Sequence, residues 1–140
     1  MMVDANAEEF SQSLDSSGGI AVPLSTATIF SVGKDEGILR RRQEEIQTRA
    51  GMRVRWMQAQ EAEILTRTRG KRLWMFCATL DSAQAMYLAC SVRRYSPESR
   101  LLLLSEQEPP RFEMPLFDEV VLMPASMESI VSAVRRLARG

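Results

Sequence analysis

Apolar positions along this chain fall into short runs separated by polar stretches with a helical period. The run Leu73-Trp74-Met75-Phe76-Cys77-Ala78 holds six apolar residues with no polar alternation. That is the pattern of a strand covered on both faces, and it places the run at the centre of a parallel sheet. Its shortness, and the Gly70-Lys71-Arg72 that precedes it, argue against a helix. Residues 101–104 repeat the buried-strand pattern, residues 119–123 read as a fifth strand closed by Pro124, and residues 28–32 form a β-branched and aromatic run that ends at Gly33. In residues 52–57, Val54 and Trp56 alternate with Arg53 and Arg55, which predicts an edge strand wet on one side.

Between these runs the period changes from two to 3.6. Residues 35–50 predict a helix with a thin apolar stripe at Ile38, Leu39, Ile46 and Ala50. Arg40 with Glu44 and Arg41 with Glu45 are its expected ion pairs, and Gly51 closes it. Residues 58–69 predict a short polar helix, buried through Ala59, Ala62 and Leu65 and stopped at Gly70. Asp81 is read as the N-cap of a third helix whose apolar side is Ala83, Met86, Tyr87 and Cys90, ended by Ser96-Pro97. Residues 106–118 contain Pro109, Pro110 and Pro115, which prevents a continuous helix. Phe112, Met114, Leu116 and Phe117 cluster there and either pack on the sheet or face a partner, packing being the favoured of the two. Ser126 caps a last helix with the cleanest stripe, Met127, Ile130, Val131, Val134, Leu137 and Ala138. Residues 1–26 are polar and small, and a flexible tail is expected ahead of one domain over residues 27–140.

Five strands alternating with helices predict a doubly wound α/β domain. Composition changes the picture in a few respects. A chain of 140 residues can bury one core without staples. Its 18 basic and 18 acidic side chains cancel, so neither general nucleic-acid binding nor membrane-surface binding is expected. With no histidine, a histidine base, a histidine-bearing zinc site and a histidine pH switch are excluded. Cys77 and Cys90 are both expected in the interior, which argues against a disulfide framework and for a reducing, cytoplasmic compartment. No secretory signal and no membrane span are expected. Arg135, Arg136 and Arg139 suit the last turn of a helix, where cations complement the dipole, better than a DNA contact.

From residue 28 to residue 140, about four-fifths of the chain, the landmarks carry a resemblance. They are the strand and helix around Val32 to Ala50 with Ala50-Gly51 before the second strand, the lead Ser96-Pro97-Glu98-Ser99-Arg100 into residues 101–105, Phe117-Asp118 before Val120-Val121, and Met123-Pro124-Ala125-Ser126 before an amphipathic helix. In order and spacing the chain resembles a response-regulator receiver domain of bacterial two-component signalling. The resemblance implies a flavodoxin-like, doubly wound five-stranded parallel sheet of order 2-1-3-4-5, here with the family's fourth helix shortened or lost.

That family uses an acidic pair to hold Mg²⁺, an aspartate as phosphoryl acceptor, a hydroxyl, and a lysine before a proline. Oxygen ligands suit the hard cation, and positive charge stabilises the phosphoryl oxygens. Carried over by position, the acidic pair falls on Gly33 and Lys34, with Asp35 next to it. The acceptor falls on Cys77, the hydroxyl on Ser105, and the lysine on Met123, before Pro124. The resemblance implies a cis Met123-Pro124 peptide. Only Ser105 keeps the family's residue type. The expectation is a degenerate pseudo-receiver in a phosphorelay context, not an enzyme, with no catalytic residue, cofactor or metal. It is expected to act by phosphorylation-independent binding of a signalling protein or of a second copy, without nucleic acid or membrane. Phe112, Met114, Leu116 and Phe117 are the candidate contact face. The alternative reading is a small-anion or nucleotide site on the turn from Gly33 to Gly37, where helix amides attract phosphate. Asp35 and Glu36 bring negative charge to that turn.

Overall fold

The computed structural model describes residues 28–111 and 114–139, Met114 by its backbone only. The expected tail over residues 1–26 and the side chains of Phe112 and Met114 lie outside what is described. Five strands, β1 (Ile29–Val32), β2 (Val54–Met57), β3 (Leu73–Phe76), β4 (Arg100–Ser105) and β5 (Glu119–Leu122), form one sheet of order β2-β1-β3-β4-β5. Every pairing is parallel, so the apolar run in β3 is the central strand. Four helices connect or flank the strands: α1 (Glu36–Ala50), α2 (Ala59–Leu65), α3 (Ser82–Tyr95) and α4 (Met127–Arg139). None of the described helices is long and apolar enough to cross a membrane.

Alternate residues of each strand feed two separate cores, because successive side chains point to opposite faces of a sheet. Ile29, Leu73, Met75, Leu102 and Leu104 pack under α1 and α4, against Leu39, Ile46, Ile130, Val134 and Leu137. Phe30, Trp74, Phe76, Leu101 and Leu103 pack under α2 and α3, against Ala62, Leu88, Ala89 and Val92. On that second face Phe30 meets Trp74 edge-on at 4.9 Å, Trp74 lies parallel to Phe76 at 6.2 Å, and Phe76 meets Phe117 at 6.3 Å. The aromatic row crosses from β1 to the segment before β5.

Local chemistry sets the helix ends. The Asp35 carboxylate accepts from the Ile38 N–H at 3.1 Å and caps α1, and Gly51 closes it at φ 67°, a left-handed conformation that glycine adopts without strain. Two ion pairs stiffen α1, but with other partners than expected. Arg40 pairs with Glu36 and Arg49 with Glu45, each acid lying N-terminal to its base, the orientation that also suits the helix dipole.

The expected apolar side of α3 is overturned. Its buried residues are Ala85, Leu88, Ala89 and Val92; Cys90 is exposed and Tyr87 is half exposed. The two sets differ by two positions, or about 200° around a helix, so the expected stripe lies on nearly the opposite face. Both stripes have helical spacing, and the larger aliphatic side chains Leu88 and Val92 dock on the sheet.

Where the resemblance implies a fourth helix, the described residues form a 3₁₀ turn, Met114–Leu116, and no α-helix. Phe117 is buried and the partly exposed Leu116 packs against the same core, so these two residues cover the sheet.

Candidate functional site at the carboxyl ends of the strands

All the positions singled out as a receiver-like pocket come to the carboxyl margin of the sheet, where loops from β1, β3, β4 and β5 converge. Backbone bonds join the loops directly. The Cys77 N–H donates to Val32 O at 2.8 Å, the Gly33 N–H to Met57 O at 3.2 Å, and the Met123 N–H to Ser105 O at 2.7 Å. The Met123-Pro124 peptide is cis.

Gly33 and Cys77 are neighbours. A Cβ built on Gly33 would stand 3.2 Å from the Cys77 Cβ and 2.8 Å from the Thr79 hydroxyl oxygen. No positive φ requires glycine there; the space requires it. Thr79 was not singled out by its residue type, and it fills the room a side chain at position 33 would need. Its oxygen also accepts the Lys34 N–H at 2.9 Å. From the other side Gln58 donates to Lys34 O at 3.1 Å. The loop after β1 is therefore pinned at both backbone groups of Lys34, and its ammonium reaches Asp81 at 3.1 Å. Asp81 thus does two things, since its N–H also donates to the Gln84 side-chain oxygen at the start of α3 at 3.4 Å.

Cys77 is 1% exposed, and its thiol meets the buried Ser31 hydroxyl at 3.6 Å. Burial pushes the thiol up from its ordinary range, while the Arg42 guanidinium and the Ser31 hydroxyl pull less strongly the other way. Cys77 is thus an uncharged, enclosed thiol at neutral pH. Arg42, on α1, had no expected role; its approach to Cys77 depends on how α1 lies on the sheet. The contrast with Cys90 gives a direct check. A thiol reagent such as Ellman's should titrate one cysteine per native chain, Cys90, and a second only in denaturant. Two fast thiols would show that Cys77 is accessible.

The remaining positions are occupied locally. The Ser105 hydroxyl donates to Gln107 O at 2.5 Å and accepts the Gln107 N–H at 3.3 Å, a closed turn. Met123 packs against the core under α1 and α4. The Asp35 carboxylate takes one of the amides that an anion at the α1 N-terminus would use, which weakens the attraction of the Gly33 to Gly37 turn for phosphate. Among the described residues no three Cys, Asp or Glu side chains converge as metal ligands would. At the far end, Arg136 is paired with Glu119 and Arg135 donates to Arg49 O.

Comparison with family models gives no match, and comparison with curated proteins gives none. Solved structures do match. The chain is similar to the non-phosphorylated HemR receiver domain from Leptospira biflexa, with a TM-score of 0.70 and 21% identity, over 81% of this chain and 94% of that one. It is similar to the response regulator TrrA from Thermotoga maritima in complex with Mg²⁺ and beryllofluoride, with a TM-score of 0.66 and 18% identity, over 80% and 99%. A third is a pilus assembly-related protein from Burkholderia pseudomallei, with a TM-score of 0.62 and 17% identity, over 85% and 94%. At these identities the likeness is one of fold, and the fold is that of response-regulator receiver domains.

Proposed function

We propose that a receiver fold with this strand-end chemistry is a signalling domain of two-component or phosphorelay type that works by binding another protein without being phosphorylated. The observation that carries the reading is Lys34. Carried over by position, Lys34 stands where the family has a metal-binding acid, and its ammonium pairs with Asp81 at 3.1 Å. A hard divalent cation is repelled by an adjacent ammonium, and neither the hydrogen of Gly33 nor the Thr79 hydroxyl replaces a carboxylate ligand. Cys77, enclosed and protonated, is a poor nucleophile toward a phosphoryl donor. Met123 supplies no charge to stabilise phosphoryl oxygens.

On this reading the chain is a cytoplasmic, non-enzymatic component whose specificity resides in its surface. With Phe117 buried and Leu116 partly buried against the core, the described part of this face that stays open is Leu116 and the edge of β5, where Leu122 is half exposed. The test is a titration with Mg²⁺ and then beryllofluoride, an acyl-phosphate mimic, following fluorescence from Trp74 and Trp56 and the amide shifts of Gly33, Lys34, Cys77 and Thr79. No saturable change is expected. A saturable shift at these amides would mean that the strand ends still form a phosphate switch.

A further inference from the structure

The charges of this chain cancel in total but not in distribution. Asp4, Glu8, Glu9 and Asp15 lie ahead of residue 28, where there is no lysine or arginine, so the remainder carries four more basic than acidic side chains. The place where the two parts join is the amino margin of the sheet. Ile29 is in register with Val54 and with Leu73, and its N–H donates to Arg53 O at 2.8 Å. Residue 28 therefore emerges beside Arg53 and beside the turn Arg69-Gly70-Lys71 that leads into β3. Ser99, just before β4, holds that turn by donating to Gly70 O at 3.1 Å.

Arg53, Arg69 and Lys71 are exposed, and among the described residues no carboxylate pairs with any of them. Their neighbour Arg72 is partly buried, with its guanidinium 5.3 Å from the centre of the Phe30 ring, and Glu98 is the acidic group that acts on it. Arg40, Arg49, Arg55, Arg93 and Arg136 all have carboxylate partners. This margin is thus a cluster of cations left unmatched by the domain itself, at the root of an acidic segment.

We propose that this basic margin is the docking site of the chain's own acidic N-terminal segment, with residues 4–15 lying across Arg53, Arg69 and Lys71. Reach is not limiting: any chain as long as that from Asp15 to Thr28 would span about 20 Å even as a random coil and far more when extended. Tethering gives an effective concentration on the order of millimolar, so individually weak exposed ion pairs suffice. The contact is electrostatic, and salt must weaken it. The inference is independent of the phosphorylation question, because it concerns the opposite end of the sheet.

The test uses the full chain with a nitroxide label at Ser13→Cys in a Cys90→Ala background, Cys77 being enclosed. Amides of Arg53, Arg69 and Lys71 are expected to lose intensity, and to regain it in Arg53→Glu/Lys71→Glu and in about 1 M salt, where the Debye length falls to about 3 Å. The salt arm serves even if the charge-reversed variant folds poorly. Mixing labelled chain with isotope-enriched unlabelled chain should transfer no broadening. The proposal is overturned if these amides stay sharp, if broadening centres elsewhere or ignores charge reversal and salt, or if it passes between copies.

Discussion

Replacing Arg93 with alanine should cost about 2–3 kcal/mol, the loss expected when several carbonyls and a carboxylate together lose a charged donor. The Arg93 guanidinium donates to Leu116 O at 3.0 Å, Ser99 O at 3.0 Å, Pro97 O at 3.3 Å and the Asp118 carboxylate at 2.9 Å. Asp118 in turn accepts the Leu101 N–H at 2.7 Å and returns its own N–H to Leu101 O at 2.9 Å. One side chain from α3 thus fastens the start of β4 to the segment that replaces a helix. Its exposure of 25%, against 22% for Asp118, makes the pair worth more than a surface ion pair, yet water can reach it, which keeps the estimate below that for a fully buried charge.

The melting temperature should fall by roughly 8–12 °C at this domain size, with faster amide exchange at Leu116 to Asp118. Arg93→Lys should recover less than half, since one ammonium cannot span donors arranged as a fork. A loss under about 0.5 kcal/mol, the level of an ordinary surface change, would mean that water replaces the guanidinium at little cost.

The second large effect is at Gly33. Gly33→Asp restores the family's residue type at that position, yet it should destabilise by about 2–3 kcal/mol, combining overpacking with the burial of a charge. The new Cβ meets the Thr79 oxygen at 2.8 Å and the Cys77 Cβ and Leu39 Cδ2 at 3.2 Å each. Thr79→Ala alone should cost about 1 kcal/mol through the lost Lys34 N–H bond. The double variant should be more stable than the sum of the two by about 1 kcal/mol or more, the coupling expected of residues in contact. Simple additivity in urea or thermal unfolding would show that Thr79 is not what closes position 33. Thr79, then, keeps the strand ends shut as much as Lys34 does.

The elements that proved legible share a cause. β3, β4 and α4 each bury a pattern that only one secondary structure satisfies: an apolar run too short for a helix, or a stripe with strict 3.6 spacing. Their order along the chain then left few topologies open, and the central place of β3 follows from its being covered on both faces. The cap at Asp35 and the stop at Gly51 were legible because their chemistry is local.

What was misread depended on choices between equivalent local patterns. α3 is apolar on two opposite sides, so periodicity does not say which docks; the sheet selects Leu88 and Val92 and leaves Tyr87 and Cys90 outside. The ion pairs of α1 have two registers of the same spacing. Phe117 was not misread but left open between core and contact face, since its proline-rich stretch has no period, and the aromatic row beneath it settles its place in the core.

The sequence alone determined the layered α/β fold, the lack of histidine chemistry, and the residue types that stand at each strand end. Those depend on composition and on contacts within a few residues. Tertiary structure decided what those residue types do: that Lys34 meets Asp81, that Thr79 occupies the space beside Gly33, and that Arg93 ties three segments together. Each is a contact between residues far apart in the chain, fixed by strand register and helix placement, for which no local pattern exists.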